Sequence, residues 1–156
     1  MEIKLSTDWT ELLQLFTENE VDFVVIGAFA LAIHGIPRLT GDIDLLYNPS
    51  RENCEKMFAA LREFGIPVPG LTASDLEIPD TTLTFGRPPN RIDLLNWLSG
   101  SSWDDVAADR IRGRLGALEV WYISRRAYLI NKDASGRPRD FVDASTVREM
   151  YPDENL

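Results

Sequence analysis

Residues 21–47 read VDFVVIGAFALAIHGIPRLTGDIDLLY, and we expect the rest of the chain to pack around this segment. The apolar run over residues 21–26 predicts a short buried strand. Gly27 interrupts this run, and residues 29–34 predict one or two turns of helix that end at the following glycine and proline. Residues 42–46 alternate acidic and apolar side chains, which predicts a second strand. The segment therefore forms a strand–helix–strand unit.

The second strand of this unit carries two carboxylates, Asp42 and Asp44, at alternate positions. Since successive side chains of a strand point to opposite faces, these two share a face, roughly 6–7 Å apart along it. Neighbouring carboxylates repel each other unless a cation lies between them, and Mg²⁺ is the usual hard cation for oxygen ligands. The turn at Gly27, ahead of a helix N-terminus, has free N–H groups that suit a phosphate. Together these features predict chemistry on a nucleotide.

Length and composition predict a single α/β domain that spans residues 1–156. The chain is 44% hydrophobic and 26% charged, which is ordinary for a soluble globular protein. Its single cysteine, Cys54, excludes an intramolecular disulfide and fits a reducing compartment. No apolar run reaches the ~20 residues of a membrane span, and the start of the chain lacks a signal-peptide pattern. We therefore expect a cytoplasmic location without a membrane partner.

The net charge of −9 argues against a broad electrostatic grip on nucleic acid. The charge is unevenly distributed, because residues 1–80 carry 5 basic and 14 acidic side chains, whereas residues 81–156 carry 11 of each. Two interpretations of the basic second half stay open. It is either a solvated mixed surface or a surface that faces a triphosphate or a polyanionic acceptor.

Further elements follow from periodicity and from capping and turn residues. Helices are predicted over residues 8–19, from Ser50 to Gly65, after Ser102, from Ser124 to about residue 131, and from Pro138 onward. Strands are predicted over residues 81–85, 91–96, 110–115 and 118–123, the last two as a hairpin, and residues 67–80 as an irregular loop. Asp8 and Glu11 predict a capping box for the first helix, and Phe141 is expected to face inward in the last.

A third carboxylate, Asp93, lies inside the apolar run of residues 91–96. Burial of an unpaired carboxylate is costly, so an acid in the centre of a strand needs a partner. Two partners are open: a metal ion shared with Asp42 and Asp44, as two-metal phosphoryl transfer requires, or a salt bridge to Arg91 two residues away.

The combination of Gly27, Ala28 and the later Asp42-x-Asp44 resembles the signature of the DNA polymerase β-like nucleotidyltransferase superfamily. The longer pattern AxxxHGxxRxTxDID, which ends at Asp44, is similar to the small bacterial nucleotidyltransferases of abortive-infection and toxin–antitoxin systems. Ala28 departs from the Gly or Ser that the family usually has there, so a hydroxyl contact to phosphate is lost while the backbone N–H remains. The tail around Lys132 and Asp140 is similar to the family's Lys followed by a (K/R)DxxD helix.

The resemblance implies a minimal nucleotidyltransferase fold, a short mixed sheet with helices packed mainly on one face. It implies two Mg²⁺ ions, with Mn²⁺ as an alternative, and transfer of an NMP from an NTP to an acceptor hydroxyl with release of pyrophosphate. The implied metal ligands and catalytic residues are Asp42, Asp44 and Asp93. The implied nucleotide-binding residues are Gly27, Ala28, Arg38, Thr40 and Lys132, and Asp140 would orient basic groups. Turn chemistry for Arg38 and Thr40, and ordinary surface exposure for Lys132, are the alternatives.

The acceptor is left open by the sequence. An RNA 3′ end, a protein hydroxyl and a small molecule are all compatible with the resemblance, and the toxin-like relatives favour RNA or protein. A partner protein or a homodimer is expected to complete the site, because no acceptor-binding helical domain is visible. Two other functional classes remain: a non-catalytic nucleotide-binding or antitoxin-like module, and a metal-dependent glycosyltransferase, since those enzymes also use Asp-x-Asp.

Overall fold

The computed structural model describes residues 4–66 and 69–154. Its strands are β1 (Phe23–Ile26), β2 (Asp42–Tyr47), β3 (Thr82–Phe85), β4 (Arg91–Leu95), β5 (Ile111–Leu115) and β6 (Leu118–Tyr122). Its helices are α1 (Thr7–Glu18), α2 (Gly27–Ile33), α3 (Arg51–Phe64), α4 (Trp103–Ala108), α5 (Arg125–Ser135) and α6 (Pro138–Met150), with a 3₁₀ helix at Ala73–Glu77. None of the helices in these two ranges is long and apolar enough to cross a membrane.

The strands form one six-stranded mixed sheet in the order β3-β4-β2-β1-β6-β5. β1 runs antiparallel to β2 and parallel to β6, while β2 runs parallel to β4. The two edge pairs, β3 with β4 and β5 with β6, are antiparallel. The predicted α/β class with a short mixed sheet is confirmed, and the strand–helix–strand unit contributes both central strands.

One face of the sheet is packed against α1 and α3. The ring of Phe16 in α1 meets that of Phe23 in β1 edge-on at 5.6 Å between centroids. The hydroxyl of Tyr47 donates to the carbonyl of Leu76, at 2.8 Å, in the 3₁₀ helix that packs on α3. The opposite face is bordered by α5 and α6, whose side chains line a pocket. Asp44 and Tyr47 lie an odd number of positions apart in β2, so the pocket is on the face opposite to the one that packs on the 3₁₀ helix and α3.

The helix ends follow the capping residues that the sequence indicates. Ser50, Ser102 and Ser124 each accept a hydrogen bond from the backbone N–H three residues later. Gly65 ends α3 in the left-handed conformation, with φ of 87°, which glycine adopts without steric cost. These local signals were read correctly because they depend on the chain within one helical turn.

Two local predictions are wrong. α1 is capped by Ser6, whose side chain accepts from the backbone N–H of Trp9, in place of a capping box at Asp8 and Glu11. Phe141 is 55% exposed, because α6 turns Asp140 and Asp143 inward towards basic side chains.

The segment of residues 67–80, for which the sequence predicts an irregular loop, is only partly irregular. Part of the segment is the 3₁₀ helix at Ala73–Glu77, whose Leu76 is buried. Pro67 and Val68 lie outside the described residues. The other described residues of the segment form turns, a bend and irregular chain, as a stretch rich in proline and glycine favours.

Candidate active site

Three carboxylates meet where β2 and β4 lie side by side. Asp42 and Asp44 share one face of β2, and the parallel register places Asp44 directly opposite Asp93 of β4. One carboxylate oxygen of each residue lies within 4.8 Å of the others. Asp93 is only 6% exposed, whereas Asp42 and Asp44 are half-buried. The predicted grouping of these acids, which we call the acidic cluster, is therefore present in the structure.

Gly27 borders the acidic cluster at the junction of β1 and α2. It has a positive φ of 69°, and a Cβ atom at this position would lie 2.3 Å from Oδ2 of Asp44. The antiparallel register explains the contact, because Ile26 pairs with Asp44 across β1 and β2. Any larger residue would meet the carboxylate and strain the backbone, so glycine is required here for space and for conformation. Gly27 is also the first residue of α2, which starts two residues earlier than the sequence predicted.

Neighbouring polar side chains orient the cluster. The hydroxyl of Thr40 donates to Oδ1 of Asp42 at 2.6 Å. Oδ1 of Asp93 accepts from the hydroxyl of Thr84 at 2.7 Å and from Nε of Arg91 at 3.2 Å. The predicted salt bridge to Arg91 is therefore present and uses Oδ1 of Asp93, while a shared metal ion stays a prediction for this residue. Thr40 therefore contributes to the acidic cluster by orienting the carboxylate of Asp42.

Electrostatics of the cluster are unfavourable without a cation. Burial, and then the charges of Asp42 and Asp93, raise the pKa of Asp44 to about 7. All the converging ligand atoms are carboxylate oxygens, with no histidine nitrogen or cysteine sulfur among them. This donor set fits a hard divalent cation such as Mg²⁺, with Mn²⁺ as a chemical alternative, and does not match the nitrogen and sulfur preference of zinc.

A second polar group lies across the pocket, on α5 and α6. Asp140, 1% exposed, accepts from Nζ of Lys132 at 3.3 Å and from Nε of Arg137 at 2.8 Å. Although burial opposes ionisation, hydrogen bonds from Arg137 and Ser135 and the charge of Lys132 hold the pKa of Asp140 well below its ordinary value. Lys132 lies in the last turn of α5, which is longer than predicted, so its stem is fixed by the helix.

Arg38 is held by the other buried acid of α6. Its Nη1 and Nη2 donate to the two oxygens of Asp143 at 3.1 and 2.5 Å, a bidentate pair. Asp143 is 4% exposed, while Arg38 stays half-buried and borders the pocket. The two predicted cations, Arg38 and Lys132, thus both reach the pocket, and each is oriented by a carboxylate of α6.

Every residue predicted for the site lines one pocket of about 690 Å³. The eight are Gly27, Ala28, Arg38, Thr40, Asp42, Asp44, Asp93 and Lys132. His34, the single histidine, is buried elsewhere, where its Nε2 lies 2.8 Å from the carbonyl oxygen of Ile123. That environment suits a packed residue at a helix end.

Sequence reasoning missed several residues that line the same pocket. They are Tyr128, Asn131 and Asp143, among others. The spacing of Asp140 and Asp143, one helical turn apart, was the available signal for the acids of α6. No model of a known protein family matches this chain, and no curated protein has a significantly similar sequence. Its function is therefore inferred from the residues of the pocket.

Proposed function

We propose that this chain is a Mg²⁺-dependent nucleotidyltransferase of the DNA polymerase β-like superfamily. It would transfer an NMP from an NTP to an acceptor hydroxyl and release pyrophosphate. The observation that carries the proposal is the acidic cluster, whose three carboxylates each have an oxygen within 4.8 Å of the others. Phosphoryl-transfer sites that hold two ions ~3.5–4 Å apart require carboxylates placed closely enough to share them. The pocket of about 690 Å³ lies within the usual size range for small-molecule sites.

The acidic cluster would hold the ions, with Asp42 and Asp44 binding both and Asp93 completing one of the two sites. Thr40 and Thr84 support this role, since each fixes a carboxylate through a short hydrogen bond from its hydroxyl. When bound, the ions would stabilise the negative charge that develops on the attacking oxygen and on the leaving pyrophosphate.

Phosphate binding would use the backbone at the start of α2 and the basic side chains of the pocket. Gly27 and Ala28 line the pocket, and among the described residues no side chain caps the N-terminus of this helix. α2 has only seven residues, so its dipole is a minor contribution beside full charges. Arg38 and Lys132 would supply those charges, since both line the pocket and each is oriented by a buried acid of α6.

An RNA 3′ end or a protein hydroxyl is the acceptor that we infer, in the setting of a toxin–antitoxin or abortive-infection system. The chain's net charge of −9 is unfavourable for non-specific nucleic-acid binding. Positively charged contacts to an RNA acceptor would therefore come from the basic second half of the chain, from a partner protein or from a second copy of this chain.

The proposal is tested by label transfer. The chain is incubated with each α-³²P-labelled NTP, Mg²⁺ and either total cellular RNA or total protein, and the label is followed on gels. We expect Mg²⁺-dependent labelling of one acceptor class from α-labelled NTP. A γ-labelled NTP should give none, because the γ-phosphate leaves with pyrophosphate.

Two variants make this test specific. Asp44→Asn should abolish labelling, because it removes a shared metal ligand with little change in shape. Asp104→Asn serves as the matched control, since Asp104 is exposed in the first turn of α4 and does not line the pocket. Nucleotide binding without transfer to any acceptor would instead favour the non-catalytic module. Full transfer by Asp44→Asn would refute the metal assignment.

A further inference from the structure

The pocket is lined by side chains of two different chemical kinds. Its basic side chains are those of Arg38, Lys132, Arg137 and Arg139. Its apolar side chains include Leu95, Trp97 and Leu98, which follow Asp93 at the end of β4. The acidic cluster belongs to the same pocket and carries neither of these properties. A ligand that fits the whole pocket thus needs a polyanionic part and a flat apolar part.

Trp97 is oriented by a hydrogen bond and is not part of the core. Its indole Nε1 donates to the hydroxyl of Thr82 at 3.0 Å, and Thr82 also lines the pocket. With its N–H satisfied in this way, the ring is held in place although 41% of the residue is exposed. Tryptophan is a large apolar residue that is usually well buried, so an exposed and tethered indole beside a pocket is suited to contact a ligand.

We propose that Trp97 forms the base-binding end of this pocket, where the nucleobase of the NTP stacks on the indole. This inference rests on the proposed function, because it takes the NTP as the ligand. An NTP joins a triphosphate to an aromatic base, so one molecule uses both the basic side chains and the aromatic surface. Asn131 offers a polar side chain for the edge of the base. Its Nδ2 donates to the carbonyl of Ser99 at 3.2 Å, and both residues line the pocket.

Stacking is tolerant of base identity, because every base has an aromatic face. We therefore expect Trp97 to contribute affinity to all four NTPs. Discrimination among them would come from polar contacts to the base edge, for which Asn131 is the available amide. Trp97 is thus a binding residue for the base and has no role in the chemical step.

The test compares ligands with and without a base. Isothermal titration calorimetry with Mg²⁺ measures the dissociation constants of α,β-methylene NTPs, which cannot transfer a nucleotidyl group, and of inorganic tripolyphosphate. Trp97→Ala should weaken the NTP analogues about tenfold, within the range that base–aromatic stacking contributes, and leave tripolyphosphate unchanged. Trp97→Phe keeps an aromatic face and should recover most of the affinity. Phe141→Ala is the matched control, since this exposed aromatic residue does not line the pocket.

Intrinsic fluorescence gives a second readout on the same proteins. The chain has four tryptophans, and nucleotide binding should quench the fraction of the emission that is missing in Trp97→Phe. Equal NTP affinity in wild type and Trp97→Ala would overturn the proposal. An equal loss of affinity for tripolyphosphate would also overturn it. The same holds if Trp97→Ala impairs only the labelling of the acceptor.

The two proposals fail in different ways. If no acceptor is labelled but Trp97→Ala still weakens NTP analogues selectively, the base site stands and the transferase function falls. If labelling is observed and Trp97→Ala binds NTP normally, the function stands and the base site falls. Absence of any NTP binding would overturn both.

Discussion

Two groups of carboxylates border the pocket, and their surroundings are opposite. In the acidic cluster, Asp42, Asp44 and Asp93 face one another, and Arg91 is the salt-bridge partner recorded for them among the described residues. Across the pocket, the acids of α6 face bases. Asp140 binds Lys132 and Arg137, and Asp143 binds Arg38.

The difference appears in the ionisation of the two groups. Burial and neighbouring acids raise the pKa of Asp44 to about 7, whereas the basic partners of Asp140 lower its pKa in spite of burial. Loss of one partner from a buried ion pair is costly, whereas neighbouring carboxylates without enough basic partners destabilise a fold unless a cation relieves their repulsion. The α6 acids therefore orient the basic side chains, and the contrast supports the proposal that the acidic cluster binds a cation.

The largest effect is expected for Asp44→Asn, which affects function and stability in opposite directions. Transfer should fall by about 10³-fold or more, because a ligand shared by both ions is lost. In EDTA the same variant should unfold at a higher temperature than wild type, because the repulsion with Asp42 and Asp93 is removed. Scanning calorimetry with and without Mg²⁺ measures the second effect. A lower unfolding temperature in EDTA would show that the cluster is not strained.

Lys132→Ala should reduce turnover by about 10²–10³-fold, with a smaller effect on NTP affinity. The charge that Lys132 meets grows on the leaving pyrophosphate, so its contribution is larger in the transition state than in the bound substrate. Lys132→Arg should recover part of the loss, since the planar guanidinium differs from a point charge. Steady-state kinetics at saturating NTP decide the matter, and equal turnover of wild type and Lys132→Ala would contradict the role.

Asp140→Asn tests the other side of the comparison, and it should destabilise the protein by about 3 kcal/mol. The substitution removes the negative charge that pairs with Lys132, whose side chain is largely buried, and leaves that positive charge without its counter-ion. Urea denaturation measures the free energy of unfolding. Asp133→Asn is the matched control, because Asp133 joins α5 to α6 through Arg148 in an exposed ion pair worth about 0.5 kcal/mol. Similar losses in the two variants would place the α6 acids among ordinary surface pairs.

A smaller effect is expected in the pH dependence of stability in EDTA. Asp44 keeps its proton in the folded state up to about pH 7, while the unfolded chain releases it near the ordinary value of 3.8. Stability should therefore fall as pH rises through this window, and Asp44→Asn should flatten the response. Asp140 acts oppositely and at lower pH, since its stabilisation is lost only as pH falls below about 4 towards its lowered folded pKa. A wild-type profile that is flat between pH 4 and pH 7 would contradict the first part.

Local signals in the sequence were sufficient for much of the architecture. The alternation of Asp42 and Asp44, the serine caps and the glycine at the end of α3 each act within a few residues, so they could be read without a fold. Errors arose where a distant contact overrode local pattern. The position of Phe141 in α6 predicted burial. The inward face of α6 is instead occupied by acids that bind Lys132 and Arg38, and Phe141 is exposed.

The sequence by itself determined the strand–helix–strand unit and the candidate residues of the site, because side-chain periodicity and chemistry are written in neighbouring positions. Only the tertiary structure decided how they meet. The parallel register of β2 and β4 sets Asp93 against Asp44, and the turn at Gly27 brings the backbone against the same carboxylate. The pairing of Arg38 with Asp143, 105 residues later, likewise depends on how α6 packs. Such contacts are fixed by long-range strand and helix packing, which no short window of sequence contains.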